Sequence, residues 1–279
     1  MGTLYLVATP IGNLEDMTIR AIRVLKEVNL IAAEDTRQTR KLLTHFEIST
    51  RLVSYHEHNK MASGPELIRL IMEGDSIALV SDAGMPAISD PGYDLVKLAV
   101  EKGVPVVPIP GANAALSALV ASGLPTKRFT FIGFLPREKK DLLKELARLR
   151  YVQDTLLFYE SPHRVVKTLE KMAEVWGGGR NVCLARELTK RYEEFARGTI
   201  AECLEHLAEH PPQGEYCLIV EESPDERTSS EGIWWESLTL AEHMEHYLQT
   251  GIDKKDAMKR IAADRSMPKR EVYQKLLEE

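Results

Sequence analysis

Residues 160–164, Glu-Ser-Pro-His-Arg, bring a carboxylate, an imidazole and a guanidinium together within one short segment. Such groups can accept a proton, orient a nucleophile and hold a phosphate. We therefore consider Glu160 and His163 as acid–base groups and Arg164 as an anion ligand. A structural interpretation stays open, because Ser161 is a good N-cap for a helix that begins at Pro162.

A second candidate group follows the apolar run 182–185 in the segment ARELTK. It contains Arg186, Glu187 and Lys190, which is again a mixture of acid and base at the end of a predicted strand. Glu187 and Lys190 are our second choice for residues that take part directly in a reaction.

The loop 82–92, DAGMPAISDPG, is unusually long for a connection between a buried strand and a helix. Its glycines, prolines and aspartates favour an ordered loop that presents backbone groups to a ligand. We expect Asp82 to offer its carboxylate to an ammonium group or a ribose hydroxyl. For Asp90, just before Pro91, we favour a role as turn former and helix cap.

Two other loops have compositions that suit a nearby ligand. Residues 9–13, TPIGN, form a Pro-x-Gly corner, and residues 110–115, PGANAA, lead into a helix with small side chains. Small residues allow an aromatic base to approach the backbone, although close packing of helix on sheet explains them equally well. Neither loop has the GxGxxG pattern, and GxxxxGK[ST] is absent, which disfavours a classical dinucleotide site and P-loop hydrolysis.

Short apolar runs alternate with helical segments along the chain, which predicts an α/β fold of two lobes. Ligands in such folds bind at the carboxyl ends of the strands. The predicted strands of the first series are 4–8, 30–33, 76–81 and 104–109, in a parallel sheet, and helices are predicted near 18–28, 35–46, 63–73, 92–102 and 112–122. The second series of strands is 129–133, 155–159, 182–185 and 216–220.

We predict four segments: a parallel-sheet lobe at 1–122, a second α/β lobe at 123–222, a polar linker at 223–232 and a helical module at 233–279. Between Asp253 and Lys275 the module has eight Lys or Arg and four Asp or Glu, in a chain whose net charge is -6. Its short helices resemble a helix-turn-helix, and the basic surplus favours contact with nucleic acid. A solvated helical cap is the alternative.

The composition is that of a globular protein, with 44% hydrophobic and 28% charged residues. The acidic net charge argues against a general nucleic-acid coat protein. Three dispersed cysteines and the lack of a signal peptide or membrane span favour a cytoplasmic location. The histidine spacings give little support for a metal site.

The segments TPIGNLED, EDTR, SDAGMPAISDPG, IPGANA, LLFYESPHR and ARELTK resemble the tetrapyrrole methylase superfamily. Within it, the chain is similar to the ribosomal RNA small-subunit methyltransferase I family from about residue 3 to 222, and in the helical tail. That resemblance implies the class III methyltransferase fold, an S-adenosylmethionine cofactor, and 2′-O-methylation of a cytidine in the decoding centre of 16S rRNA within the small ribosomal subunit. It also implies a homodimer.

The resemblance places the cofactor between the two lobes. The residues that it implies, together with their neighbours in the same loops, are Ile11, Gly12, Asp82, Ala83, Met85, Ala87, Ala112, Asn113, Phe158 and Ala185.

Several basic residues recur at helical spacing or cluster near the hinge 123–126, and they are candidates for a path along an RNA backbone. They are Arg37, Arg40, Lys41, Arg137, Lys167, Lys269 and Arg270. Two alternatives remain: a small-molecule methylase of the same superfamily, acting for example on a corrin precursor, and a non-catalytic RNA-binding relative.

Overall fold

The computed structural model describes residues 1–224, 235, 238–250, 252–265 and 267–278. The chain divides into two compact units, Met1–Pro224 and Asp225–Glu279. Most of the predicted linker, and the first residues of the predicted helical module, lie outside the described residues. Within the described part of the chain, no helix is long and apolar enough to cross a membrane.

The first sheet is entirely parallel, as predicted, and has the strand order β3-β2-β4-β1-β5. Its strands are β1 (Leu4–Val7), β2 (Leu30–Ala33), β3 (Leu52–Ser54), β4 (Ile77–Val80) and β5 (Val106–Ile109). The helices that connect them are α1 (Ile19–Glu27), α2 (Thr36–His45), α3 (Lys60–Glu73) and α4 (Gly92–Glu101).

Helices cover both faces of this sheet because its central strands are apolar at every position. In β2, Leu30 and Ala32 belong to the cluster under α3 and α4, whereas Ile31 and Ala33 belong to the cluster under α1 and α2. Successive side chains of a strand point to opposite faces, so one buried run serves two cores. The carboxyl ends of these strands are thereby left for the ligand-binding loops.

The second sheet is mixed and has the order β6-β7-β10-β8-β9, in which only β6 and β7 are parallel. Its strands are β6 (Phe129–Phe134), β7 (Thr155–Glu160), β8 (Asn181–Arg186), β9 (Glu194–Thr199) and β10 (Tyr216–Val220). The helices of this region are α5 (Ala114–Ser122), α6 (Lys139–Leu149), α7 (Val165–Trp176) and α8 (Ile200–Glu209).

Helix α5 packs on the second sheet. Its buried residues Ala115, Ala118 and Leu119 lie in one cluster with Leu157 of β7 and Ile219 of β10. The predicted division between residues 122 and 123 instead grouped this helix with the first sheet. We therefore propose lobes at 1–113 and 114–224, since a helix belongs to the sheet on which it buries its apolar face.

The second unit is helical, with α9 (Leu240–Gln249), α10 (Lys254–Asp264) and α11 (Lys269–Glu278). Leu240, Met244, Ala257, Ile261 and Val272 form its apolar core. These positions recur at the spacing that the sequence predicts, so the helical character of the module is confirmed. Its helix-turn-helix function stays a prediction.

Candidate active site

One cavity of about 620 Å³ lies between the carboxyl ends of the first sheet and one end of the second. It is enclosed within the unit Met1–Pro224, so both lobes contribute side chains. From the first lobe its wall includes Ile11, Glu34, Ser81, Asp82, Ala83, Gly84, Met85, Ile88, Ser89, Asp90 and Asn113. From the second lobe it includes Ala114, Phe134, Tyr159, Glu160, Ser161, Pro162, Ala185, Leu188, Lys190, Glu215, Tyr216 and Cys217.

The structure brings most of the predicted cofactor residues to this wall, namely Ile11, Asp82, Ala83, Met85, Asn113 and Ala185. Asn113 also caps α5, because its side chain accepts a hydrogen bond from the N–H of Leu116 at 2.9 Å. Gly12, Ala87, Ala112 and Phe158 are not among the residues that line the cavity. That the wall residues bind a cofactor stays a prediction.

The predicted position of Phe158 at the cavity is wrong, because its side chain points to the opposite face of β7. Phe158 is 1% exposed and lies in the core near the ring of Trp176, whereas the next residue, Tyr159, faces the cavity. The Tyr159 hydroxyl accepts a hydrogen bond from the N–H of Ala115 at 3.3 Å. A shift of one residue in a strand reverses the face that a side chain occupies.

The long loop 82–92 is tied to the first loop of the chain. Thr9 and Gly84 exchange backbone hydrogen bonds of 2.9 and 3.1 Å. Ala87 has a φ of 69°, which is a left-handed conformation. It does not line the cavity, and its N–H stabilises the loop by donating to Oδ1 of Asp90 at 2.9 Å. Asp90 also accepts from the N–H of Gly92 at 2.7 Å, which confirms its predicted role as a turn former. Its predicted role as the helix cap is wrong, because Pro91 is the N-cap of α4.

Four carboxylates lie close together where the first lobe meets the cavity, and of these only Asp82 was predicted as a site residue. Burial, followed by repulsion from Asp82, Asp90 and Asp35, raises the pKa of Glu34. The N–H of Asp35 donates to Oδ1 of Asp82 at 3.0 Å, which fixes this carboxylate at the cavity wall. An excess of negative charge in a partly buried cavity favours a cationic ligand.

Lys190 supplies the positive charge on the second lobe. Its Nζ donates to Oε1 of Glu187 and to Oε2 of Glu215, both at 2.9 Å. Burial lowers the pKa of Lys190, but the hydrogen bonds to the two carboxylates outweigh it and the pKa is raised overall. Lys190 therefore remains a cation at neutral pH, and an ammonium with two partners has one donor left for a ligand.

Gly12 and Gly214 leave room for the side chains of Lys190 and Glu187, because a larger residue at either position would overlap them. A Cβ at Gly12 would overlap Cγ of Lys190 and would lie 2.9 Å from Oγ1 of Thr189. A Cβ at Gly214 would overlap the side chain of Glu187. Gly12, which we predicted to contact the cofactor, thus packs against the Lys190 stem of the other lobe.

Ala112 has a backbone role similar to that of Gly12. Its carbonyl oxygen lies 3.5 Å from the position that a Cβ on Gly84 would occupy. The 110–113 turn and the 82–92 loop are therefore in close contact. Ala112 therefore contacts the 82–92 loop and is not part of the cavity wall.

Of the three candidates Glu160, His163 and Arg164, only Glu160 lines the cavity. Nη2 of Arg164 lies 3.5 Å from Oε2 of Glu160, so these two side chains form an ion pair, and their part in a reaction stays a prediction. The Glu160 carboxylate is 3% exposed and accepts from the N–H of Ser161 and from Oγ1 of Thr168, both at 2.8 Å. The Arg164 guanidinium donates to the carbonyl oxygens of Leu135 and Pro136 at 3.0 Å. His163 is exposed and does not line the cavity.

The predicted N-cap at Ser161 is also wrong. Helix α7 begins at Val165, and Arg164 is the capping residue. The carbonyl of Ser161 instead accepts the N–H groups of Arg164 and Val165, so a turn precedes the helix. This turn holds the buried Glu160 carboxylate in place, because the N–H of Ser161 donates to it at 2.8 Å.

The basic candidates lie on exposed surfaces. Arg37, Arg40 and Lys41 line a groove of about 640 Å³ along α2, together with Thr36 and Thr44. Four further candidates are exposed elsewhere, namely Arg137, Lys167, Lys269 and Arg270. Among the described residues, no group of three or more His, Cys, Asp or Glu side chains is arranged to hold a metal ion.

A family model for tetrapyrrole (corrin/porphyrin) methylases matches residues 3–204. The chain is 59% identical to the ribosomal RNA small subunit methyltransferase I of Halalkalibacterium halodurans, over 98% of this chain and 93% of that protein. It is 57% identical to the protein of the same name from Bacillus subtilis, with the same coverage. These relatives confirm the resemblance seen in the sequence motifs.

Solved structures with low sequence identity share the fold. Uroporphyrin-III-C-methyltransferase from Thermus thermophilus is 22% identical, with a TM-score of 0.56 over 80% of this chain and 95% of that one. Diphthine synthase is 14% identical, with a TM-score of 0.60 over 79% and 90%. The α/β fold class predicted from the sequence is thereby confirmed, and the chain belongs to the tetrapyrrole methylase family.

Proposed function

We propose that the protein is an S-adenosylmethionine-dependent methyltransferase that modifies small-subunit ribosomal RNA. The acceptor is the ribose 2′-hydroxyl of a cytidine in the decoding centre of 16S rRNA. The relatives of 59% and 57% identity support the RNA substrate through their names. The finer assignment rests on the sequence motifs, such as TPIGNLED and SDAGMP, that resemble this family.

The cavity fits the cofactor in charge and in the nature of its walls. The carboxylates of Glu34 and Asp82 suit a cation, and Ile11, Met85 and Ala185 provide apolar surface for an adenine ring. A related uroporphyrin-III C-methyltransferase of Thermus thermophilus, 21% identical to this chain, was solved with S-adenyl homocysteine. S-adenosylmethionine supplies an electrophilic methyl group on a positively charged sulfur.

The observation that carries the proposal is the Lys190–Glu215 pair of the second lobe, which lines the same cavity as the carboxylate cluster of the first lobe. A ribose hydroxyl is a weak nucleophile, and an adjacent ammonium stabilises the negative charge that develops on its oxygen. Lys190 has one N–H group left for this purpose. It is a hydrogen-bond donor rather than a base, because its pKa is raised.

Glu215 is the carboxylate that can take the proton. Its side chain is 82% exposed, it lines the cavity, and it already contacts Lys190. The ribose oxygen would take the methyl group from the sulfonium sulfur, whose carbon–sulfur bond would break to leave a neutral thioether. The hydroxyl proton would pass to the Glu215 carboxylate. We prefer Glu215 to His163, because His163 does not line the cavity. We also prefer it to Glu160, because that carboxylate is buried, accepts two hydrogen bonds and pairs with Arg164.

The test is transfer of labelled methyl from S-adenosylmethionine to small ribosomal subunits that lack the decoding-centre methylations. Nuclease digestion and mass spectrometry then locate the product. We expect a single 2′-O-methylcytidine. A methylated base, or no transfer in spite of cofactor binding, would contradict the proposal and would favour a small-molecule acceptor.

A further inference from the structure

Helix α2 differs from the other helices in how its charges are balanced. Its sequence, TRQTRKLLTH, has no acidic residue. On other helices several exposed arginines pair with a carboxylate of the same helix, as in Arg23 with Glu27 at 2.7 Å and Arg148 with Glu145 at 2.6 Å. Within the described part of the chain, neither Arg40 nor Lys41 forms an ion pair. The surface of α2 is therefore a concentrated positive patch on an acidic protein.

Arg37 is the one cation of this helix that is held in a fixed orientation. Its Nε and Nη2 donate to Oδ1 and Oδ2 of Asp35 at 3.1 and 2.8 Å. This pairing lowers the pKa of Asp35 to about 2, so the carboxylate remains charged at neutral pH. The Arg37 side chain is nevertheless 87% exposed, and its Nη1 and the second N–H of Nη2 remain available to a ligand.

The same aspartate connects the patch to the cavity. The Asp35 N–H donates to the Asp82 carboxylate at 3.0 Å, and Glu34, the preceding residue, lines the cavity. Thr36, the following residue, lines the groove. Two residues of chain span about 7 Å at most, so the groove begins within the size of a ribose-phosphate unit from the cavity wall.

We propose that the face of α2 formed by Thr36, Arg37, Arg40, Lys41 and Thr44 is a phosphodiester-binding groove. Arg37, oriented by Asp35, holds the phosphate next to the ribose that enters the cavity. Arg40 and Lys41 contact the phosphates that follow. The inference rests on the proposed function and specifies how the polynucleotide is held at that site.

The chemistry of the groove favours a phosphate chain over an isolated anion. A guanidinium matches two phosphate oxygens at once, and successive cations along one helix match a repeating negative charge. Such contacts are independent of base identity, so they position the strand without selecting its sequence. Selection of the nucleotide is left to the cavity.

The experiment compares the wild type with two triple variants in binding to an in-vitro transcript of 16S rRNA at a series of KCl concentrations. The first variant carries Arg37→Ala, Arg40→Ala and Lys41→Ala. The control carries Arg23→Ala, Arg69→Ala and Arg148→Ala and so removes the same charge from other helices. Thermal unfolding checks that each variant folds.

Each phosphate contact contributes about 0.7 to the slope of log affinity against log salt for single strands. We expect this slope to fall by about 2 in the α2 variant and to change little in the control. Equal slopes in the α2 variant and the wild type, or an equal fall in the control, would overturn the inference. Methyl transfer by the wild type is measured separately, so that loss of the inference alone is distinguishable from failure of the proposed function.

A single variant tests whether the planar guanidinium of Arg37, and not only its charge, is needed. Arg37→Lys keeps the charge but loses the planar fork. We expect the slope to stay at the wild-type value while the affinity falls about tenfold, as loss of one charged hydrogen bond would produce. An affinity equal to that of the wild type would show that Arg37 acts only as a point charge and would refute its proposed orientation.

Discussion

Lys190 shows at the scale of one residue how a half-buried lysine becomes a hydrogen-bond donor rather than a base. A lysine in an apolar cavity loses its proton readily, because burial disfavours the charged form. Here the carboxylates of Glu187 and Glu215 reverse that effect. A change in pH near neutrality therefore leaves its charge intact, and the proton acceptor must be another group.

Replacement of Lys190 should affect the reaction more than binding. For Lys190→Met we expect a fall in the methyl-transfer rate of about 100-fold or more, since one charge-stabilising donor is lost. Cofactor affinity, measured by calorimetry, should stay near the wild-type value. Lys190→Arg should recover part of the rate, and Lys102→Met, at an exposed lysine, should have no effect. A normal rate in Lys190→Met would remove this residue from the mechanism.

Replacement of Glu34 should have a different effect from replacement of Lys190. We expect it to raise the stability of the fold and to weaken cofactor binding. Its pKa is raised above the ordinary value of 4.5, so the folded state binds the proton more tightly than the unfolded state. Stability from this group is present below pH 4.5 and is lost as the pH rises through the folded pKa. At neutral pH the ionised Glu34 therefore destabilises the fold.

Glu34→Gln should raise the melting temperature at pH 7 by about 1–2 °C, the effect of a change of roughly half a kcal/mol in a domain of this size. The difference from the wild type should shrink as the pH is lowered towards 4.5. Binding of S-adenosylmethionine should weaken, because a negative charge near the cation is removed. Glu170→Gln, on the exposed face of α7, is the control, and tighter cofactor binding in Glu34→Gln would contradict the assignment.

At the scale of elements, the sequence predicts the loops of the site better than the side chains within them. The strands of the first sheet are continuous apolar runs, so their ends, and with them the 82–92 loop, are evident. The edge strands β3 and β9 were not predicted. β3 has three residues and is partly exposed, and β9 reads EFARGT without an apolar run.

The sequence predicted Phe158 at the cavity, where the structure has Tyr159, and this difference has a related cause. Every residue of β7 except Tyr159 is buried, so hydrophobicity does not show which face meets the cavity. The polar hydroxyl of Tyr159 was the available signal, because a buried tyrosine usually places it near a polar group or a ligand. The position of α5 on the second sheet likewise depends on long-range packing, to which local periodicity is insensitive.

The contact between the Gly12 corner and the Lys190 turn predicts an effect that crosses between the two lobes. Gly12→Ala introduces a methyl group into the space of the Lys190 stem, and overpacking of this kind costs about 1–3 kcal/mol. We expect the methyl-transfer rate to fall by about 10–100-fold, as small displacements of catalytic groups do. Gly179→Ala, where no atom lies within 4 Å of the new Cβ, is the matched control. An unchanged rate for Gly12→Ala would show that the Lys190 position is not critical.

On the scale of the whole molecule, charge is unevenly distributed. The segment between Asp253 and Lys275 has a surplus of four basic residues, although the net charge of the chain is -6. The remainder is therefore strongly acidic and repels a polynucleotide except at local patches such as the α2 groove. An RNA substrate must be attracted by a few basic regions, and the expected homodimer, which stays a prediction, would double them.

The basic segment of the second unit, between Asp253 and Lys275, should add to RNA affinity without affecting the chemistry. Lys269 and Arg270 begin α11 and are exposed, so alanine at both positions should leave the fold intact. For binding to the 16S rRNA transcript, we expect the slope of log affinity against log salt to fall by about 1.4, because two phosphate contacts are lost. The cofactor affinity and the melting temperature should stay at their wild-type values, as in a control with Arg23→Ala and Lys26→Ala on α1. The slope could be unchanged in the Lys269 and Arg270 variant and yet fall in the α2 variant. In that case the second unit has a role other than phosphate contact, and the strand is held by the first unit alone.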